Sequence, residues 1–314
     1  DTVLSRGLGD VYKRQKICYN KYMFILKLIR YAIEMLIVVF LIILCRSSSI
    51  DKSSKFMGNF TAKYGPRLGI SNRANQNLKN ALPNLDRKQR AKIIKRMWEN
   101  LGRTSSEFLN IKTLINEKER IRVKGKNILE NNLNNGVIYV SGHIANWEVI
   151  PIAIKQIDQK VGAVFRQSNN YLFNSWMIKQ RKLITKNQFP KGISGTKEIL
   201  NFLKNNGSIA MLVDQKLSNG VKANFFGLKS MTTSTPAVLS LKYGYPVIPL
   251  KVKRDGGANF KIEFFDQIKI DKTGDLEIDI LNFTNKINLF LENMIIENPE
   301  EWFWLHNRWD KRFN

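Results

Sequence analysis

The chain has 314 residues, 43% of them hydrophobic, with 18 Phe and 6 Trp; a sizeable core can be buried, and a wholly disordered chain is excluded. Lys and Arg total 51 against 26 acidic residues, a formal net charge of +25, which predicts anionic partners: nucleic acid, an anionic membrane surface or acidic substrates. The two cysteines, Cys18 and Cys45, make no CxxC pair and no metal-ligand spacing, a usage that fits a reducing compartment and leaves the main body without a thiol nucleophile.

Residues 1–22 are polar and lack helical periodicity. They are expected to be a non-native or disordered leader ahead of a start at Met23, or else a basic tail. Residues 23–46 form a hydrophobic segment. Its uninterrupted apolar part, Met35–Cys45, covers roughly half of the ~30 Å of a bilayer core, and Lys27, Arg30 and Glu34 interrupt the first half. Leu44-Cys45-Arg46 offers no small-residue cleavage site, which argues against a signal peptide. The segment is read as a single shallow anchor or in-plane helix, against a buried core helix. Residues 47–314 form the main domain.

Ser71–Leu82 reads as a short helix broken at Pro83. Asp86 followed by Gln89 is a capping-box signal, and Ile93, Ile94, Met97, Trp98 and Leu101 recur at helical spacing up to about Leu109. Strands are predicted at Arg120–Lys124, Gly136–Ser141, Val161–Phe165 and Ser208–Val213. Helices are predicted at Asn127–Leu133, Trp147–Ile157, Leu172–Leu183 and Thr196–Lys204. Thr235-Pro236 starts another helix. Pro246–Val252 and Phe260–Phe265 flank the turn signal Asp255-Gly256-Gly257, and Leu276–Ile296 is a long helix. The expected fold is α/β: one domain with a mostly parallel mixed sheet flanked by helices, a late antiparallel pair, and an N-terminal membrane-associating helix.

There are two histidines, His143 and His306. His143 follows a buried-looking strand and precedes a helix, and sites in open α/β sheets gather at the carboxyl ends of strands. Imidazole is suited to proton transfer near neutral pH. Glu148, five residues on, is in reach to orient the ring and compensate its charge, as a triad carboxylate does. Alone, HxxxxE is a weak signal, and a loop histidine is more often a surface or capping residue. The segment has no GxSxG elbow and no HExxH, which disfavours a serine or zinc hydrolase.

Ser141-Gly142-His143-Ile144-Ala145-Asn146-Trp147-Glu148 resembles the HxxxxE block of the bacterial lipid A biosynthesis acyltransferases, the late lauroyl/myristoyl transferases. These belong to a superfamily with the glycerol-phosphate acyltransferases, where HxxxxD is usual. Phe165-Arg166-Gln167, Phe189–Ile193 with Gly195-Thr196-Lys197, Met211–Lys216, Phe225-Phe226-Gly227, Met231–Ala237 and Asn298–Trp309 are similar to later blocks in the same order. Upstream, Asn77-Leu78, Pro83-Asn84-Leu85 and Trp98–Arg103 match too, so the likeness runs from about Met23 to about Arg312. The polar stretch Ser47–Ser54 departs from it.

The resemblance implies an O-acyltransferase of lipopolysaccharide biosynthesis on the cytoplasmic face of the inner membrane of a Gram-negative bacterium. Its donor is acyl-acyl carrier protein, its acceptor a hydroxyl of a phosphorylated lipid A precursor, and no cofactor or metal is expected. His143 is the general base and Glu148 its partner. Arg166 binds anionic groups, or else makes a surface salt bridge. Lys191 and Lys197 add positive charge or are solvated. Asp214, which orients Arg166 or a lysine or else caps a turn, joins Gln215 among the substrate-binding candidates. Trp302, Trp304 and Trp309 pack in the core or form an interfacial belt, and His306 is structural or lies near a phosphate rather than acting as a base. A glycerophospholipid acyltransferase acting on lysophosphatidate is the alternative. A non-catalytic basic membrane-surface or nucleic-acid-binding protein is a distant one, since no nucleic-acid motif is present.

Overall fold

Ile138-Tyr139-Val140-Ser141 are all buried, the mark of a strand covered on both faces, and this strand organises the domain. The computed structural model describes residues 2–132, 135–157, 160–165, 167–190 and 193–309. In chain order it opens with five helices: α1 (Thr2–Arg46), α2 (Ile50–Tyr64), α3 (Ser71–Ala81), α4 (Arg87–Leu109) and α5 (Ile111–Asn116). Then come β1 (Ile121–Lys124), α6 (Lys126–Glu130), β2 (Ile138–Ser141), α7 (Ile150–Lys155), β3 (Val161–Phe165), α8 (Tyr171–Ile184), β4 (Asn187–Pro190), α9 (Ile193–Lys204) and β5 (Ser208–Leu212). β6 (Lys216–Phe225) and β7 (Leu228–Thr232) precede α10 (Thr235–Tyr243), β8 (Val247–Arg254), β9 (Phe260–Phe264) and α11 (Leu276–Glu297).

Seven strands form one mixed sheet in the order β1-β9-β8-β2-β5-β3-β4. All neighbours run parallel except the hairpin pair β8 and β9, as expected for an α/β chain with a late antiparallel pair. The core joins both faces of this sheet to α4, α11 and the C-terminal tryptophans. Trp302, Trp304 and Trp309 are all buried, which settles their place as core packing.

The predicted helix start at Asp86 is a full capping box: Asp86 accepts from the Gln89 amide at 2.7 Å, and the Gln89 side chain accepts from the Asp86 amide at 2.8 Å. The helix predicted over Asn127–Leu133 is shorter, ending at Glu130, and Leu133 lies outside the described residues. Trp147–Val149 is a single 3₁₀ turn before α7. Four features were not predicted: α2, α5, β4 and the β6–β7 hairpin. The hairpin turns through Phe226 and Gly227, both at positive φ (53° and 72°), the conformation a two-residue hairpin loop requires.

α1 is helical from Thr2, so the leader's backbone continues the anchor helix. Within it, Tyr22–Arg46 is long and apolar enough to cross a membrane, by length and composition. One side of its second half is docked on the domain. Tyr31 and Cys45 are buried, and the Asn170 amide donates to the Tyr31 carbonyl (3.2 Å) and to the Glu34 carboxylate (2.8 Å). Leu41, Ile42 and Cys45 pack with Met57, Leu109 and Trp176. The opposite side leaves Ile33, Leu36, Ile37, Phe40 and Ile43 exposed.

Candidate active site

His143 sits in the loop leaving β2, which the fold holds on three sides. Ala145 has a φ of 48°, uncommon for a residue with a Cβ. Its carbonyl accepts from the Asn100 amide and the Thr104 hydroxyl of α4, both at 3.0 Å, while its N–H donates to the Glu301 carbonyl at 3.0 Å. The Phe303 N–H donates to the His143 carbonyl at 3.0 Å. Asn146 donates to Glu107 at 2.8 Å, and its side-chain oxygen accepts from the Glu148 N–H at 3.1 Å. Glu107, itself fully buried, also binds Ser54 of α2 and Arg254 of β8. The loop is thus tied into a buried polar network that reaches α2, α4 and β8.

The carboxylate that meets the His143 ring is Asp214, just beyond β5. Asp214 Oδ1 lies 2.7 Å from His143 Nδ1. Its Oδ2 accepts from the His143 main-chain N–H (2.8 Å) and from Trp302 Nε1 (2.7 Å). Gly142 permits this approach, since a Cβ there would lie 3.2 Å from the Asp214 carboxylate. Burial alone would raise the Asp214 pKa; the neighbouring imidazole, its hydrogen bonds and the Trp302 indole outweigh that and hold it down at about 2. An ionised carboxylate only accepts, so it fixes the proton on Nδ1 and leaves the Nε2 lone pair free. Gln215 Nε2 stands 3.3 Å from that lone pair. This arrangement can remove a proton from a hydroxyl brought to Nε2 and stabilise the resulting imidazolium.

His143 is on the wall of a cavity of 560 Å³, within the range of small-molecule sites. Its floor is the sheet and its roof is α7, α8 and α9, through Pro151, Met177 and Ile199. The space exists because small residues lie side by side on the floor: Ala210 of β5 is in register with Tyr139 of β2 and Ala163 of β3, and Ala163 with Gln188 of β4. Two adjacent alanines leave a trough where larger residues would fill the layer.

A sequence profile of the bacterial lipid A biosynthesis acyltransferases matches residues 23–311. The chain belongs to that family. It is therefore an acyltransferase, and the expected fold class holds. Among solved structures the chain is similar to the 1-acyl-sn-glycerophosphate (LPA) acyltransferase PlsC from Thermotoga maritima, at 10% identity over 81% of this chain and 99% of that one, with a TM-score of 0.36. No curated protein sequence matches.

The expected pairing of Glu148 with His143 is corrected by the hydrogen bonds of the acyltransferase. Glu148 is bound by Arg181 of α8, at 2.5 Å from Nη2 and 3.2 Å from Nε, a two-point fork. The turn that starts at Trp147 directs Glu148 across the cavity roof to that helix. Burial alone would lower the Arg181 pKa, but the charge and hydrogen bond of Glu148 raise it. Among the described residues Asp214 bonds no lysine; its partners are the His143 ring and main-chain N–H and the Trp302 indole. Arg166 and Lys191 lie outside the described residues. Lys197 is exposed on α9, next to Thr196, which lines the cavity. His306 Nε2 accepts from the Lys216 N–H at 2.9 Å, a structural contact. Arg181 was missed from the sequence, although its spacing with Met177 and Ile184 puts a guanidinium on the apolar face of α8.

The acyltransferase also carries a destabilised carboxyl group behind the loop. Burial pushes the Glu301 pKa up to about 7, with Arg254 opposing and Glu300 adding to the rise, and one buried carboxyl oxygen has no partner among the described residues. The folded pKa lies above the ordinary ~4.3, so the native state binds the extra proton. Stability is then fully present below about pH 4 and falls as the pH rises through 7. Glu301→Gln is expected to gain about 2 kcal/mol at pH 8, discounted for residual solvent contact, and almost nothing at pH 4.5. Urea midpoints at the two pH values measure this; equal shifts at both would show that the carboxyl does not titrate as described.

Proposed function

We propose that the acyltransferase transfers a fatty acyl chain from acyl-acyl carrier protein to a hydroxyl of a phosphorylated lipid A precursor. The observation that carries this reading is the His143 ring, held by a buried carboxylate on Nδ1 and met on Nε2 by the Gln215 amide, on the wall of an apolar trough. The acyl chain lies in the trough and its thioester carbonyl stands near Nε2. The acceptor hydroxyl displaces the Gln215 amide from Nε2, loses its proton to His143 and attacks the carbonyl carbon. The imidazolium, balanced by Asp214, returns the proton to the departing thiolate. No cofactor or metal is part of this scheme.

Glu148 acts through Arg181, keeping a guanidinium charged and fixed on the cavity wall, where it faces an anionic group of a substrate. Arg166, Lys191 and Lys197 are assigned to the phosphates of the acceptor or the acidic surface of the carrier. The basic balance of the whole chain suits both, and suits an anionic bilayer at about 1 kcal/mol per basic residue near the surface.

We place the protein on the inner membrane. From Tyr31 to Cys45 the anchor helix is docked over ~21 Å of its length, with apolar side chains outward. That supports a helix lying along the bilayer surface with the domain beside it.

Mass spectrometry of lipid A from a strain lacking its own late acyltransferases, with and without this protein, is the direct test; one added acyl chain is expected. Unchanged lipid A, together with turnover of lysophosphatidate by the purified protein, would replace the proposed acceptor with a glycerophospholipid. Flotation with phosphatidylglycerol vesicles checks the membrane assignment, and protein left at the bottom of the gradient refutes it.

A further inference from the structure

Ser141 ends β2 and is only 1% exposed. Its hydroxyl is buried and has no hydrogen-bond partner among the described residues. A buried hydroxyl left unpaired is destabilising, so such a group in a native fold requires a reason. Strand alternation puts Tyr139 and Ser141 on one face of β2, and both line the cavity together with His143 beyond the strand end. Of the neighbouring donors, Arg181 spends its Nε and one Nη2 hydrogen on Glu148, Gln215 faces His143 Nε2, and the Thr185 hydroxyl donates to the Val161 carbonyl; the Ser141 hydroxyl has no such contact among the described residues.

We propose that the Ser141 hydroxyl is the hydrogen-bond donor to the carbonyl oxygen of the acyl thioester. This rests on the reading of His143 as base. As the acceptor oxygen bonds to the carbonyl carbon, the carbonyl π pair moves onto its oxygen, and the Ser141 O–H donates to that oxyanion. His143 Nε2 takes the acceptor's proton. When the carbon–sulfur bond breaks, the pair returns to the carbonyl and the thiolate leaves with the proton from His143. The serine keeps its own proton throughout. Because its hydroxyl has no hydrogen-bond partner among the described residues, it can turn toward the substrate by rotation about one torsion. A donor held ready for charge that develops only in the transition state acts on kcat more than on KM.

Ser141→Ala removes one oxygen and otherwise keeps the shape of the side chain. Its Tm is expected to equal or exceed that of the parent, because an unpaired buried group is lost, while kcat falls about 100-fold and KM for the acyl thioester stays within about threefold. Ser141→Thr, which keeps a hydroxyl, is expected to retain more activity than Ser141→Ala. The assay uses the full chain with the acyl-carrier thioester and acceptor that the wild type turns over, and runs His143→Ala beside it. A kcat for Ser141→Ala within twofold of wild type, with His143→Ala inactive, overturns the serine assignment alone. A fall in Tm parallel to the loss of kcat makes the hydroxyl structural and overturns it too. If His143→Ala turns over normally, the reading of the site fails and this assignment with it.

Discussion

His143→Ala is expected to lower kcat about 10³-fold while leaving the protein folded. Proton transfer by a positioned base is worth about 10²–10⁴, and no other described side chain offers a free basic nitrogen to the trough: Lys197 is exposed, and Arg181 is held charged by Glu148. The imidazole also contributes to the low pKa of Asp214. Its loss leaves Asp214 with the Trp302 indole and the main-chain N–H of residue 143, so the carboxylate keeps two donors and the loop keeps its anchors. Steady-state turnover and circular dichroism together make the check. A folded variant with near-normal kcat would show that proton transfer does not pass through this ring.

Much of this site was legible in the sequence because it obeys local rules. Asp86 with Gln89 announces the start of α4, Pro236 the start of α10, and the apolar run ending at Ser141 a central strand with a histidine at its carboxyl end. What was hidden depends on contacts between distant segments. Asp214 is 71 residues from His143, and no spacing rule links two strand ends that become neighbours only because β5 pairs with β2. Trp302 supports the same carboxylate from 88 residues away. The helix α2 was missed for a different reason. Its serines made the stretch look too polar, yet Ser49 caps the helix, and Ser53 and Ser54 are buried by donating to the Ile50 carbonyl and to Glu107. A buried polar group is cheap when paired, and a composition scan cannot see the partner. The HxxxxE spacing pointed to the His143 loop but to a carboxylate other than the one that meets the ring. Glu148 follows Trp147 within a single 3₁₀ turn rather than the first turns of an α-helix, and its side chain ends on Arg181.

Asp214→Asn separates the two carboxylates. In the wild type, Oδ2 takes two N–H donors, from His143 and Trp302. An asparagine in the same place must keep its oxygen there, because an amide NH₂ cannot accept. Its NH₂ then faces His143 Nδ1, where it can only donate. Nδ1 becomes the acceptor, the ring proton moves to Nε2, and the acceptor hydroxyl meets a donor where it needs a lone pair. In a serine-protease triad the same exchange, aspartate to asparagine beside the histidine, costs about 10⁴ in kcat with geometry intact, and a loss of about 10³–10⁴ is expected here. Glu148→Gln, by contrast, leaves the His143 tautomer untouched and weakens only the hold on Arg181, so its loss is expected to be at least tenfold smaller, with more of it in KM. Nitrogen-15 chemical shifts of the His143 ring report the tautomer directly. A ring still protonated on Nδ1 in Asp214→Asn, or a larger loss of kcat in Glu148→Gln, would return the role of partner to Glu148.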